Sequence, residues 1–208
     1  FLEFFKKFPI ILGEGAVIER LRRNTDFELD PFIVNSAFIY DKAKRTALET
    51  IYRQYLDIGF QYDLPLLLST PTWRANQKRV AAAGYERRDV NGDNFRFLDA
   101  LRTSYSLYAQ KVVICGLLSC QGDAYNPEEA LEPDAAYEFH AWQSMKLAEA
   151  GVDFFVVQGT VVSKYHEATE YKSVDLEEFC KRMPVPVIVG NCVTYETCLD
   201  LMSCNPDG

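Results

Sequence analysis

The sequence predicts an α/β protein whose core is a parallel β-sheet. Short apolar runs, too brief for helices, recur along the chain, and helical periodicity fills the intervals between them. The run at residues 64–68 is the clearest, because it stops abruptly in a cluster of hydroxyl, proline and tryptophan residues. Such a run is typical of a strand buried on both faces. The polar residues that follow each strand are then expected at the carboxyl edge of the sheet, where ligands of α/β proteins bind.

The composition is that of a globular domain. The 208 residues are 48% hydrophobic and 25% charged, which provides for a sizeable core, and one domain over residues 1–208 is the default expectation. The net charge of −8 argues against nucleic acid or an anionic membrane as a partner. Six cysteines without a Cys-x-x-Cys pair are expected to be reduced thiols. No apolar run approaches the length of a membrane span, and we expect a soluble cytoplasmic protein.

The first β/α unit consists of a strand at residues 9–12 and a helix at residues 16–23. The strand is short and apolar, the helix is amphipathic, and a glycine stands on either side of Glu14 at the turn between them. Residues 24–40 show no periodicity. We expect this unit to be followed by a loop.

A long helix is predicted over residues 41–61, because apolar residues recur there at spacings of three and four. Its expected buried positions are Ala47, Ile51, Tyr55 and Ile58. This helix leads into the strand at residues 64–68. Beyond it, residues 73–83 and 93–107 have helical periodicity, and a polar interval separates them.

The second half of the chain repeats the alternation. Residues 111–118 read as a strand, and a helix at residues 133–149 opens with Pro-Asp and ends before a glycine. A strand at residues 152–157 follows. The last expected elements are a helix at residues 174–182, a strand at 185–189 and a helix at 194–202. Strands separated by helices indicate right-handed crossovers in a parallel sheet.

Two architectures accommodate about five such units. An open doubly wound sheet is complete with that number, but its first turn usually carries a glycine-rich phosphate loop, and residues 13–15 continue without the third glycine. A (β/α)8 barrel typically needs about 250 residues, so this chain would form an incomplete barrel. The periodicity leaves both open.

Motifs between residue 9 and about residue 155 resemble the homocysteine S-methyltransferase family, whose members are (β/α)8 barrels. LGEGAVIERLRR stands in place of the Asp-Gly-Ala-Met-Gly-Thr-like opening of the family, and LLLSTPTWRAN in place of a Thr-Asn-Thr-Phe-like strand end. GLLSCQGDAYNPEEAL and YEFHAWQSMKLAEAGVDFF match the third strand loop and the next helix. The resemblance implies an incomplete TIM barrel of about five β/α units that transfers a methyl group to a thiol. Glu14 in place of aspartate and Pro71 in place of asparagine mark a divergent branch.

Residues 156–208 resemble a second group, the IMP dehydrogenase-related barrels, with Val-Gly-Asn at residues 189–191 as the strand end. The catalytic cysteine loop of that group and a nucleotide-phosphate glycine loop have no counterpart in this sequence. We therefore expect one partial barrel made of two segments, residues 1–155 and 156–208. An IMP dehydrogenase-like nucleotide-binding barrel is one alternative function, and a non-catalytic or truncated barrel that needs a partner is another.

The family resemblance also implies zinc, because a metal held by three cysteines ionises the substrate thiol. Cys192 matches the first ligand, which follows a glycine-containing strand, but the adjacent cysteine pair that supplies the other two has no counterpart here. Cys198 and Cys204, six residues apart, are poorly spaced to join Cys192. The sequence therefore predicts an incomplete zinc site, with neither zinc retention nor methylation of homocysteine.

Seven residues at predicted strand ends are candidate substrate-binding residues. An acid between two glycines is costly to bury unpaired, so Glu14 is either solvated or directed at a substrate ammonium group. Trp73 is either core or a ligand platform, and Asp123 either caps the following turn or binds substrate. The full set is Glu14, Thr70, Thr72, Trp73, Asp123, Gln158 and Asn191. We expect residues that follow successive strands to meet at one mouth and to bind a small thiol and a methyl donor.

The first and last strands of an incomplete barrel lack the neighbours that closure provides. Unpaired backbone groups on apolar edge strands recruit other chains. We therefore expect either a homo-oligomer that joins such edges or an aggregation-prone product.

Overall fold

The fold is a five-stranded parallel sheet with helices in the connections. The computed structural model describes residues 2–23, 27–122, 131, 133–158, 182, 184–185 and 187–190. The strands are β1 (Leu12–Gly13), β2 (Leu66–Ser69), β3 (Val112–Ser119), β4 (Phe154–Gln158) and β5 (Val187–Gly190). The helices are α1 (Leu2–Lys7), α2 (Val17–Arg22), α3 (Lys42–Gln61), α4 (Gln77–Ala82), α5 (Val90–Thr103) and α6 (Pro133–Ala150), with 3-10 helices at Ser36–Tyr40 and Ser106–Lys111.

The spatial order of the strands is the same as their order in the chain, β1-β2-β3-β4-β5. Each neighbouring pair is parallel. A doubly wound sheet reverses its strand order at a switch point, whereas a barrel adds each new strand beside the previous one. The sequential order therefore selects the barrel alternative. The parallel α/β architecture predicted from the sequence is confirmed.

The register of β2 decides which of its residues face the helices. Leu66 and Leu68 are buried at 1% and 0% exposure and belong to the main apolar core. Leu67 and Ser69 alternate with them and are only partly buried. Because successive side chains of a strand point to opposite faces, Leu67 and Ser69 face the inner side of the sheet. The expectation of a strand buried equally on both faces was wrong, since the helices cover the outer face and leave the inner face partly open.

Helix α3 has the predicted length but a different buried face. The Asp41 carboxylate caps it by accepting a hydrogen bond from the Lys44 N–H at 2.9 Å. The buried residues are Leu48, Ile51, Tyr52, Leu56 and Gly59. Ile58, expected in the core, is 48% exposed. Two neighbouring stripes of the helix both satisfy spacings of three and four, and packing against β2 and α5 selects the one that includes Tyr52.

Several helix boundaries differ from the sequence predictions. The Asn76 side chain caps α4 by accepting from the Arg79 N–H, so residues 73–76 precede the helix rather than form its first turn. Helix α5 begins at Val90 and ends at Thr103, because the Asp89 side chain caps it through the Gly92 N–H. The helices expected at residues 174–182 and 194–202 fall outside the described residues, apart from the single residue 182.

Helix α1 was not predicted. Its Phe5 ring lies 5.7 Å from the ring of Phe154, the first residue of β4, in an edge-on arrangement. Helix α1 therefore packs at the amino end of the sheet, opposite to the strand ends that carry the candidate site. None of the helices in the described part of the chain is both long and apolar enough to cross a membrane.

Candidate functional site

Glu14 lies in a cavity of about 220 Å³ at the carboxyl ends of β1 and β2. Its backbone N–H donates to the Leu67 carbonyl at 3.2 Å, which continues the β1–β2 pairing by one residue. Its carboxylate accepts a hydrogen bond from the Ser69 N–H at 3.0 Å. Burial raises the pKa of Glu14 from 4.5 to about 7, although its hydrogen bonds with Ser69 act in the opposite direction. Desolvation therefore outweighs hydrogen bonding at this carboxyl.

Ser69 connects Glu14 to two further buried side chains. The Tyr52 hydroxyl donates to the Ser69 carbonyl at 2.9 Å. The Cys115 thiol donates to the Ser69 Oγ at 3.3 Å. Burial, reinforced by the nearby Glu14 charge, raises the pKa of Cys115 well above that of a free thiol. Cys115 is therefore a neutral thiol at physiological pH and lacks the thiolate character of a nucleophile or a metal ligand.

The cavity wall combines acidic, hydroxyl and apolar groups. Two of its lining residues, Glu14 and Glu19, are acids, and none of the described lining residues is basic. Glu19 pairs with Arg22 at the surface. The lining residues are Glu14, Ala16, Val17, Ile18, Glu19, Asn35, Tyr52, Ser69, Thr70, Pro71, Trp73 and Leu117. The wall is suited to a small ligand that carries a positive charge and an apolar portion.

Thr70 and Thr72 form a closed hydrogen-bond network with Leu117 of β3. The Leu117 N–H donates to the Thr70 Oγ1 at 3.0 Å, and the Thr72 Oγ1 donates to the Leu117 carbonyl at 3.0 Å. The two threonine hydroxyls lie 2.6 Å apart. Thr70 reaches the cavity wall, whereas the fully buried Thr72 does not line it. The Thr72 hydroxyl serves to hold the β2 exit loop against β3.

Trp73 forms part of the cavity wall beyond this network. The Arg74 guanidinium carbon lies 4.5 Å from the centroid of the Trp73 ring. The same guanidinium donates to the Gly122 carbonyl at 3.1 Å. Arg74 therefore links the β2 exit loop to the β3 exit loop and fixes the position of the Trp73 wall.

The remaining predicted residues lie farther along the sheet or outside the described residues. Gln158 is the last residue of β4, in register with Ser119 and Gly190, so its backbone reaches the same edge of the sheet as Glu14. Asp123, Asn191 and Cys192 fall outside the described residues. The structure thus brings Glu14, Thr70 and Trp73 to one cavity and leaves the others as predictions.

The described residues contain no group of three or more His, Cys, Asp or Glu side chains that could hold a metal ion. Cys115 and Cys120 are free and buried. The Cys120 thiol donates to the Gly122 carbonyl at 3.1 Å, so it holds the exit loop of β3.

Three cavity residues were missed by sequence reasoning. Ser69 ends the apolar run of β2, and that position was a usable signal. Tyr52 stands beside the predicted stripe of α3, where periodicity alone does not separate a core tyrosine from a site tyrosine. Asn35 lies in a segment without periodicity, so its place at the cavity follows only from the tertiary fold.

Two solved structures of the homocysteine methyltransferase MmuM from Escherichia coli share this fold. The metallated form has a TM-score of 0.63 and 16% identity over 90% of this chain and 75% of its own. The oxidized form has a TM-score of 0.67 and 14% identity over 98% and 71%, respectively. At such identities the likeness shows the fold alone, and it confirms the incomplete TIM-barrel type.

Curated relatives match a much shorter stretch. Uncharacterized oxidoreductases of Mycobacterium bovis and Mycobacterium tuberculosis are 34% identical to this chain over 61 residues. The match covers 29% of this chain and spans only 16% of the length of these relatives.

The homocysteine S-methyltransferase family profile matches residues 11–203. The matched region includes most of the segment that resembles IMP dehydrogenase-related barrels, and that second resemblance stays a prediction. Because the match covers most of the sequence and the fold agrees with it, the chain belongs to the homocysteine S-methyltransferase family.

Proposed function

We propose that this chain is a homocysteine S-methyltransferase-like protein and that the Glu14 cavity binds the amino-acid thiol that receives the methyl group. Family membership supports the reaction class. The observation that carries the assignment of the cavity is the Glu14 carboxylate, held by the Ser69 N–H in a wall without a basic residue among those described.

An amino acid such as homocysteine is complementary to this wall. Its ammonium group is a cation with three N–H donors, and its side chain is apolar up to the sulfur. The pKa of Glu14 is raised by burial, so its ionised form lacks full compensation in the free protein. A bound ammonium group supplies that compensation and stabilises the carboxylate. Trp73 and Leu117 offer apolar surface for the side chain in the same cavity.

Zinc is the cofactor that the family implies, and it supplies a thiolate at neutral pH when it binds a thiol. The described residues do not fit a zinc site, because Cys115 is held neutral beneath Ser69 and no metal-binding group accompanies it. Cys192 lies outside the described residues and stays a predicted ligand. The described residues account for binding and orientation of the amino acid.

Calorimetric titration of the purified chain with L-homocysteine under reducing conditions tests this proposal. We expect Glu14→Gln to weaken binding by about tenfold or more, since it keeps the shape of the side chain but removes the charge. Glu19→Gln is the matched control, because Glu19 lines the cavity but is paired with Arg22. Absence of homocysteine binding, or equal affinity of the Glu14→Gln variant, would refute the assignment.

A turnover assay addresses the metal separately. Methyl transfer to homocysteine is measured with S-methylmethionine or S-adenosylmethionine as the donor, with and without added zinc. Because the sequence lacks an adjacent cysteine pair, we expect no zinc-dependent turnover. Turnover that requires zinc would overturn the prediction of an incomplete metal site and leave the binding assignment intact.

A further inference from the structure

Asn35 is a buried amide in the wall of the Glu14 cavity. The residue is 2% exposed, and its amide oxygen has no hydrogen-bond partner among the residues that the structure describes. It stands at the N-cap of the 3-10 helix Ser36–Tyr40, a position where asparagine usually caps, but it makes no side-chain cap hydrogen bond. Buried polar atoms are normally paired, so an unpaired one in a cavity wall indicates a group that a ligand satisfies.

The backbone around Asn35 is held firmly in place. The Ser36 hydroxyl donates to the Pro71 carbonyl at 2.6 Å, and the Asn94 side chain donates to the Ser36 carbonyl at 2.9 Å. Val34 has a φ of 56°, in the left-handed region that β-branched residues rarely adopt. The loop is therefore fixed from the β2 exit loop and from α5, and the amide is positioned before any ligand arrives.

Asn94 provides an internal comparison. Its amide oxygen also lacks a partner within the described part of the chain. Its amide nitrogen, however, donates to the Ser36 and Val90 carbonyls, and Asn94 does not line the Glu14 cavity. Asn94 is therefore a structural residue, whereas the Asn35 side chain has a free acceptor at the cavity that contains the Glu14 carboxylate.

We propose that Asn35 is a specificity-determining residue whose amide oxygen accepts a hydrogen bond from the ammonium group that Glu14 binds. This inference rests on the proposed function, because it assigns a second anchor to the same amino-acid substrate. An ammonium group has three N–H donors, so a carboxylate and an amide oxygen satisfy it together better than either does alone. A thiol without an ammonium group gains nothing from Asn35. The pair of acceptors therefore selects amino-acid thiols over simple thiols.

The test uses three probes on the full chain at pH 8: L-homocysteine, its desamino analogue 4-mercaptobutanoate, and L-norleucine, which keeps the ammonium group but has no sulfur. We expect Asn35→Ala to weaken binding of both amino acids by about tenfold or more, as for loss of a hydrogen bond to a charged group. Affinity for 4-mercaptobutanoate should change by less than about twofold. Asn35→Asp keeps an acceptor and should bind both amino acids better than Asn35→Ala does.

Asn76→Ala is the matched control, because Asn76 is a buried asparagine that caps α4 and does not line the cavity. Thermal unfolding verifies that each variant is folded, and the Asn35→Asp variant carries the test if Asn35→Ala unfolds. Homocysteine binding that is insensitive to Asn35, or an equal loss for 4-mercaptobutanoate, overturns this inference and leaves the proposed function standing. Asn35-dependent binding of norleucine without any binding of homocysteine overturns the proposed function alone. Failure of all three probes to bind overturns both.

Discussion

The two sides of strand β2 lead to very different surroundings. Leu66 and Leu68 pack against α3 and α5 in an apolar layer that also contains Leu48, Leu98 and Ile114. Ser69, the last residue of the same strand, instead joins Glu14, Tyr52 and Cys115 in a buried polar cluster, the Glu14 cluster. One strand thus contributes to a layer that stabilises the fold and to a cluster that shapes a cavity.

The difference shows where the molecule gains stability and where it gives some up. Each side chain of the apolar layer gains from leaving water, with about 25 cal/mol for each Å² of apolar surface buried. Glu14 has the opposite balance, because the raised pKa means that its ionised form is less stable in the folded protein than in water. The Glu14 cluster is therefore maintained by the surrounding fold, which holds it ready for a cationic ligand.

The largest effect is expected from the apolar layer. Leu68→Ala should lower the free energy of unfolding by about 2–5 kcal/mol, because Leu68 is 0% exposed and its truncation leaves a cavity. Urea denaturation measures the change. Leu107→Ala is the control, since Leu107 is 82% exposed and its loss should cost less than about 0.5 kcal/mol. A loss below about 1 kcal/mol for Leu68→Ala would contradict the packing of this layer.

The next effect concerns Glu14 and depends on pH. Its pKa is about 7 in the folded protein and 4.5 when unperturbed. Between these values the folded state binds more protons than the unfolded state, so stability falls as the pH rises from about 4.5 to about 7. Glu14→Gln removes this dependence. The variant should equal the original protein near pH 4 and exceed its stability at pH 8 by about 2–3 kcal/mol.

Denaturant titrations at several pH values, on the original chain and on Glu14→Gln, measure this difference. Glu19→Gln controls for a general effect of removing a negative charge, because Glu19 is an exposed, ion-paired acid. A stability difference between the original chain and Glu14→Gln that does not vary between pH 4 and pH 8 would show that Glu14 is solvated, the other alternative drawn from the sequence.

A smaller effect separates structural from ligand-directed polar residues within the site. Thr72→Val should lower the free energy of unfolding by about 1–2 kcal/mol, because it leaves the Leu117 carbonyl without its hydroxyl donor. Homocysteine affinity should change by less than about twofold, since Thr72 does not line the cavity. Thr46→Val, at an exposed helix position, is the matched control. A loss of affinity without a loss of stability would restore Thr72 as a substrate-binding residue.

Much of the scaffold was predictable from local patterns. The strands β2 and β3, the long helix α3 and the helix α6 lie close to their predicted positions, because apolar periodicity and terminal residues such as Asp41 and Pro133 are encoded within each element. The placement of Glu14 immediately after β1 was predictable for the same reason.

The assembly of these parts was decided only by the tertiary structure. The Glu14 carboxylate and the Ser69 N–H are 55 positions apart in the chain, and Tyr52 reaches Ser69 from a different helix. Local periodicity allowed two buried stripes for α3 and two strand orders for the sheet, and neither choice could be made from one element. Asn35 belongs to the cavity because hydrogen bonds from Ser36 and Asn94 fix its loop there. Residues alone determined which elements form, whereas long-range packing determined which side chains meet, because strand pairing and side-chain contacts join residues that carry no local signal of each other.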